Sequence, residues 1–468
     1  MPIRSPRPHG LLALALLPMS LLVPARASAQ QFDATISAPQ ESHLRNGMSV
    51  IIEEDHRVPL VSLALRYDET AAPAELQATA ALTTSLMLSR TTHVQPGHYQ
   101  QILAQAGATG VSERTEPGAA TFQVTVPANR LALPLWLWSD QIGFFDGELT
   151  DDRVAQQRTL LHEQRRVALE GAPLGRLDLF AAEELYPPSN PYYYGSLRPE
   201  DVDHVDRTAV LAFHDTWITP EHATLVIVGD VVTADALGLV DRYFGTLARG
   251  RASAPSAVPL PMLTGETQID VTANVANPVV SVRWPTPAFL TLDDARLDVL
   301  ARILAGKRTA WLIWKLADDK KVATNVTARQ RSDLMGSQFE IRVEGAKGQK
   351  PIDLLAALDV ALDELRVREP PDSELAGSIY ENVIDRLLSR ERAQTRAFDA
   401  LRCATLRGNA DAAKIDLGRF ARVDRGAVRD AMSTFLPRDR RVVFLVTPGN
   451  KASMGGDRGA RRVKAVSP

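Results

Sequence analysis

The 468-residue chain is 45% hydrophobic and 23% charged, a balance that supports more than one folded core and excludes disordered, collagen-like and multi-span membrane proteins. Its 53 basic and 56 acidic side chains leave a formal charge of −3; without the first 29 residues, which hold Arg4, Arg7 and Arg26 and no acid, it is −6. A net acidic chain binds polyphosphates poorly, so nucleic acid is not an expected partner.

In chain order, the first element is a processing signal: Arg4 and Arg7, the apolar run Leu11 to Val23, then Ala27, Ser28 and Ala29 ahead of Gln30. The run is short for a bilayer and is interrupted by Pro18, so it predicts an exported, periplasmic chain cut near Ala29 and not a transmembrane anchor. Cys403 is the one cysteine, which is compatible with export, permits no intrachain disulfide, and lies in an apolar helical stretch that argues for a core role.

Beyond residue 29 the pattern is that of a duplicated domain. Strand-like runs Met48 to Glu53 and Val61 to Tyr67 lead into a helical pattern over Pro73 to Leu88, a strand over Ala120 to Val126 and a long helix over Asp151 to Leu169. After an Ala/Pro/Ser/Arg-rich linker, residues 248–262, the series repeats: strands Gln268 to Ala273 and Val279 to Trp284, a helix over Thr291 to Leu304, a strand over Ser337 to Val343, and one long helix over Asp372 to Leu401. Pro59-Leu-Val-Ser-Leu-Ala and Pro278-Val-Val-Ser-Val-Arg lie 219 residues apart, and Leu225-Val-Ile-Val and Val443-Phe-Leu-Val 218 apart. Paired strands followed by grouped helices predict an α+β fold of two homologous domains, each a mostly antiparallel sheet packed with helices. The expected division is a signal peptide (1–29), an N-terminal domain (30–247), the linker, a C-terminal domain (263–450) and a flexible basic tail (451–468). Gly306-Lys307 lacks the first glycine of a phosphate-binding loop and is set aside, and no Ser- or Cys-nucleophile motif is present.

Several segments together resemble the M16 (insulinase, pitrilysin and mitochondrial processing peptidase) family. They are Leu44-Arg-Asn46-Gly47-Met-Ser-Val50, the helix-glycine-turn-strand series from Leu103 to Val126, and Trp217-Ile-Thr-Pro220 running into Gly229-Asp230. The resemblance covers most of the chain and implies the M16/LuxS-like metallohydrolase fold. Active members carry H-x-x-E-H on the first long helix and a further Glu on a later one. Two His one turn apart and the distal Glu hold zinc, and the motif Glu activates its water.

Laid on that motif, this chain has Ala81 and Ser85 for the two His and Thr84 for the Glu, none of which can do the work. His93 and His98, the next histidines, are five apart around Pro96-Gly97 and predict a solvated loop, not a ligand pair. The third-ligand position survives as Glu163, 78 residues after Ser85, where pairing with Arg166 is the simpler role. The substrate-holding Arg and Tyr of the family's second domain correspond to Ala317 and Thr324, in a segment where Trp311 and Trp314 either pack in the core or line a peptide pocket. Tyr192-Tyr-Tyr194 matches a structural loop of the family.

The resemblance therefore implies a member without its own zinc and with no expected cofactor. Its implied partners are peptides and a catalytic M16 subunit with an intact H-x-x-E-H, in a periplasmic heterodimer. A free-standing peptide-binding or scaffolding pseudopeptidase, and a working metallopeptidase with an unrecognised site, are the alternatives.

Overall fold

A computed structural model describes residues 38–195, 197–252 and 261–465. The expected signal peptide and most of the expected linker lie outside the described residues. The first half runs β1 (Gln40–His43), β2 (Ser49–Glu54), β3 (Leu60–Asp68), α1 (Gln77–Ser89), α2 (His98–Gln105), β4 (Thr109–Glu116), β5 (Ala119–Pro127), α3 (Ala132–Gly143), α4 (Asp151–Glu170), α5 (Leu177–Leu185), α6 (Arg207–Trp217), β6 (Ala223–Gly229) and α7 (Thr233–Phe244). The second runs β7 (Gly265–Ala273), β8 (Val279–Thr286), α8 (Leu292–Ala305), α9 (Trp311–Ile313) with a π-helical turn at Trp314–Asp319, β9 (Ala323–Arg331) and β10 (Ser337–Gly345). It closes with α10 (Pro351–Val367), α11 (Asp372–Ser389), α12 (Ala393–Arg407), α13 (Ala412–Phe420), α14 (Arg425–Phe435), β11 (Val442–Pro448) and β12 (Asp457–Ala465).

Each half builds a six-stranded sheet, ordered β1-β2-β6-β3-β5-β4 and β12-β7-β11-β8-β10-β9. All neighbours are antiparallel except β2 with β6 and β7 with β11. The repeat reaches the register: Val61 pairs with Val126 in the first sheet as Val280 does with Val343 in the second. Strand alternation decides which side chains meet which layer. Leu63, Leu65, Val124 and Ile227 face α1, α3 and α6, and Val282, Trp284, Ile341 and Leu445 face α8, α10 and α14, so each half has its own core. Side-chain caps set the starts of four helices, with Thr150, Asp206, Thr291 and Asp424 accepting from backbone N–H groups three residues on.

The opposite faces are covered by exchange between the halves. Helix α5 lays Leu177, Phe180, Ala181 and Leu185 on Ile269, Val271, Val442 and Phe444 of the second sheet. In return α12 lays Ala397, Ala400 and Leu401 on Ile51, Ala64, Val226 and Val228 of the first. Small residues at helical spacing let α12 approach that sheet closely. Arg396, 3% exposed, clamps the contact: its Nε donates to Glu53 at 2.7 Å and its Nη2 to Asp55. Both acceptors sit on or beside β2, so the ion group ties the two halves together.

Two expectations need correction. The helix expected over Asp372 to Leu401 is two helices broken at Arg390–Arg392, because its second part leaves the second core for the first sheet. The flexible basic tail expected over 451–468 instead holds β12 across Asp457–Ala465, antiparallel to β7. Its basic side chains find acids: Arg462 binds Asp270 at 2.6 Å, Arg461 binds Glu184 at 2.9 Å and Lys464 reaches Glu266 at 3.2 Å. Backbone pairing along the exposed edge of β7 supplies the rest. Residues 466–468 lie outside the described set. Among the described residues no helix is long and apolar enough to cross a membrane.

Candidate functional site

Helix α1, which carries the motif positions, is buried on nearly every side between the first sheet and the helices over it. Ala81 is 3% exposed and offers only a methyl. Thr84, 2% exposed, turns its hydroxyl back to the Ala80 carbonyl at 2.9 Å, and Thr83 does the same to Thr79 at 2.8 Å. Such back-bonding satisfies a buried hydroxyl within its own helix and leaves no donor set for a metal. Ser85 accepts a hydrogen bond from Gln157 of α4. One turn on, Arg153 of α4 reaches Ser89 at 3.2 Å and the Arg90 carbonyl at 3.1 Å.

The structure brings α1 and α4 together through Ser85 and Gln157. Glu163, 54% exposed on α4, accepts from Arg166 Nε at 2.8 Å and Nη2 at 2.6 Å. That hydrogen-bonded guanidinium holds its carboxyl below the usual range. Arg166 also reaches Glu170 at 3.2 Å, so Glu163 belongs to a surface charge row. Among the described residues no three His, Cys, Asp or Glu side chains converge where they could hold a metal ion. The residues present at the motif do not fit zinc.

His93 lies in the expected loop but is tethered, with Nδ1 against the buried carboxylate of Asp140 and its ring edge-on to Phe144 at 4.8 Å. His98 opens α2 behind Gly97, whose φ of 76° needs glycine. In the second half, Ala317 lies half-buried in the π-helical turn. Thr324 is exposed on β9, with its hydroxyl donating to the Glu344 carbonyl at 3.3 Å. The two tryptophans divide their roles. Trp311 packs against the second core and donates to the Ala361 carbonyl at 2.9 Å, whereas Trp314 is 46% exposed. Lys315 stands 5.8 Å over the Trp314 ring but is engaged by Glu364 at 2.8 Å. Tyr192 is structural, its hydroxyl accepting from the Met335 backbone across the halves.

Sequence reasoning missed two features. Beside the start of α1, Glu69 is wholly buried and neither of its oxygens finds a hydrogen-bond partner. Burial pushes its carboxyl up to about 8 against the pull of Arg66. The other is a cleft of about 670 Å³ between the loop before α5 and the polar face of the second sheet. On that face Glu340 meets Arg329 at 2.7 Å, Arg342 at 2.8 Å and Arg283 at 3.3 Å. Asp178 of α5 completes it, meeting Arg283 at 2.7 Å and Arg331 at 3.0 Å. Burial would raise both carboxyls, but the guanidiniums outweigh it and hold each at about 2. The alternation of polar Gln338, Glu340 and Arg342 with apolar Phe339, Ile341 and Val343 was the available signal; the partner from α5 was not legible.

Residues 204–379 match the family model described as the peptidase M16 inactive domain. Zinc protease PqqE of Helicobacter pylori is 23% identical over 347 residues, which cover 71% of this chain and 76% of that protein. Protein YhjJ of Salmonella typhimurium is 33% identical over 84 residues, 17% of its length. The chain is similar to M16 peptidases over most of its length. Its M16 fold is shared with a solved protease from Helicobacter pylori (TM-score 0.79, 18% identity, 88% of this chain and 100% of that one). It is also shared with an M16 inactive domain from Pseudomonas fluorescens (TM-score 0.76, 15% identity, 88% and 98%) and with the first half of the periplasmic protease PqqL from Escherichia coli (TM-score 0.66, 14% identity, 87% and 92%). At the positions to which the resemblance assigns the motif, α1 presents a methyl, a hydroxyl bonded within the helix and a hydroxyl bonded to α4.

Proposed function

We propose that this M16 homologue is an exported, non-catalytic subunit that pairs with a catalytic M16 subunit carrying an intact H-x-x-E-H, the pair acting on peptides or unfolded segments. The observation that carries the reading is α1: Ala81 and Thr84 are sealed in the core and Ser85 is taken by Gln157, while the surrounding M16 fold is retained. A chain selected for its own hydrolysis needs ligands there; a chain selected for its shape needs only packing, and packing is what the helix supplies. Zinc and the water-activating Glu then belong to the partner, as do the substrate-holding Arg and Tyr that Ala317 and Thr324 replace. The reading fits a net acidic chain with an export-type N-terminus.

Co-expression with the H-x-x-E-H-bearing M16 homologue of the same organism tests it. Tagged chain is expected to retain that homologue through size exclusion at one to one, with zinc and peptidase activity present only in the complex. Separate elution of the two chains at micromolar concentration would refute the partnership.

A further inference from the structure

We propose that one lysine-rich edge of the second domain is a docking surface for an anionic phospholipid bilayer. The proposal goes beyond the subunit role above and does not rest on it. Nine of the 53 basic side chains are Lys, none of them among the first 306 residues, and six of the nine fall between Lys307 and Lys350. Arg supplies the buried ion pairs of the fold, through its planar fork of donors. Lys is a compact, strongly hydrated point charge, which suits a diffuse anionic surface better than a single carboxylate.

The fold gathers four of the six. Lys320 and Lys321 lie in the turn between the π-helical segment and β9, and Lys347 and Lys350 in the turn between β10 and α10. The Ala346 backbone N–H donates to the Val322 carbonyl at 2.8 Å, and Ala323 pairs with Gly345, so the two turns sit side by side at one end of the sheet. All four lysines are exposed. The acids of these elements are largely committed elsewhere: Asp318 meets Arg308 at 3.6 Å, and Lys315 meets Asp319 at 3.6 Å and Glu364 at 2.8 Å. Glu344 lines the cleft with Arg329 and Arg342, which leaves Asp353 as the carboxylate beside Lys350. Arg308, Lys315 and the four lysines against Asp318, Asp319, Asp353 and Glu364 leave two positive charges over, on a chain whose total is −3. Lys321 is held at a φ of 54°, where glycine or asparagine would be less strained, yet the position carries a cation.

Two exposed apolar side chains favour a bilayer over an acidic protein. Trp314, 46% exposed, precedes Lys320 by little more than one turn of the π-helical segment, and Ile352, 48% exposed, follows Lys350 in the first turn of α10. An indole settles at headgroup level while lysines reach the lipid phosphates, and the pair anchors a protein that lies on a membrane.

The test is co-sedimentation of the purified chain from Gln30 onward with vesicles of phosphatidylcholine alone, or of equal parts phosphatidylcholine and phosphatidylglycerol. The full-length chain is run in parallel, so that binding by the apolar run Leu11 to Val23 is measured separately. The chain from Gln30 is expected to bind the anionic vesicles about tenfold tighter or more, with affinity falling as salt rises. The pair Lys321→Gln, Lys347→Gln is expected to weaken that binding about twentyfold, at about fivefold per lysine. Trp314→Ala should weaken it severalfold and leave its salt dependence unchanged. A control pair of equal charge, Arg130→Gln and Arg242→Gln, exposed in the first domain, should stay within about twofold of the wild type. Equal binding to both vesicles, no binding to either, or equal losses in the two pairs overturns the proposal. Capture of soluble labelled poly-glutamate without binding to anionic vesicles would assign the surface to an acidic protein and overturn it as well.

Discussion

Substituting Glu69→Gln removes a charge the fold has no place for while keeping the shape of the side chain. In the unfolded chain a Glu ionises near pH 4.5, but in the folded protein burial keeps Glu69 protonated up to about pH 8. Between those values the unfolded state binds fewer protons than the native state, so wild-type stability falls as pH rises, and levels off above about pH 8. At about 1.4 kcal/mol per pH unit, the interval of roughly 3.5 units sets a ceiling of about 5 kcal/mol on the total loss. Of the charged groups facing Glu69, Arg66 opposes the shift without cancelling it and Asp68 adds to it. Glutamine stays neutral throughout, so the two proteins should unfold at similar urea concentrations at pH 4.5. The variant should then be more stable by several kcal/mol at pH 8. Urea unfolding of both proteins at pH 4.5, 6 and 8 gives the difference curve, from which the other titrating groups cancel. A difference that does not change with pH across that interval would show that Glu69 is solvated or paired in solution and would refute the reasoning.

Replacing Arg396 with Met leaves Glu53 and Asp55 buried without their shared cation, and a loss of about 3–5 kcal/mol is expected. Cleavage at Arg390–Arg392 in limited proteolysis should rise in parallel, because α12 then loses its buried ionic tie to the first sheet and keeps its apolar contact and the Gln394 hydrogen bond to Gly110. Truncation before Asp457 uncovers the β7 edge and unpairs Asp270 and Glu184, so light scattering should report self-association that a dispensable tail would not cause. The triple change Ala81→His, Thr84→Glu, Ser85→His is expected to cost about 1–3 kcal/mol of packing and to confer zinc uptake with Glu163. Adding Arg166→Ala should raise zinc affinity by no more than about fivefold, since an exposed ion pair is worth about 1 kcal/mol at most. Titration of the wild type, the triple variant and the quadruple variant with zinc checks both statements.

The duplicated α+β architecture was legible because strand alternation and helical periodicity survive in both halves at a nearly constant offset. Periodicity gives the apolar face of a helix but not the surface it will meet. That is why the Ala393, Ala397, Ala400 and Ala404 series reads as an ordinary continuation of α11, when it is the face of a helix that crosses to the first sheet. The strand β12 was hidden for a related reason. Its sequence, Asp457 to Ala465, has no apolar alternation, and its pairing is fixed by an open strand edge and by acids on β7 and α5 far away in the chain. At the motif, residue chemistry alone spoke clearly for Ala81 and Thr84. The sequence did not reveal Gln157 as the group on Ser85, because the contact depends on how α4 rides over α1. The orphan carboxylate of Glu69 leaves no local pattern at all, since its environment is assembled from α1, the turn before β5 and α6.

The central claim is that this chain keeps the M16 fold without M16 chemistry of its own. Zinc stoichiometry of the purified full-length protein, measured by plasma mass spectrometry after dialysis against micromolar zinc, tests it most directly when paired with a peptidase assay on the same sample. The account predicts well under one zinc per chain and no hydrolysis above the blank, both unchanged by Glu163→Ala. One zinc per chain that is lost with Glu163→Ala, or peptide cleavage by the protein alone that a chelator abolishes, would contradict it.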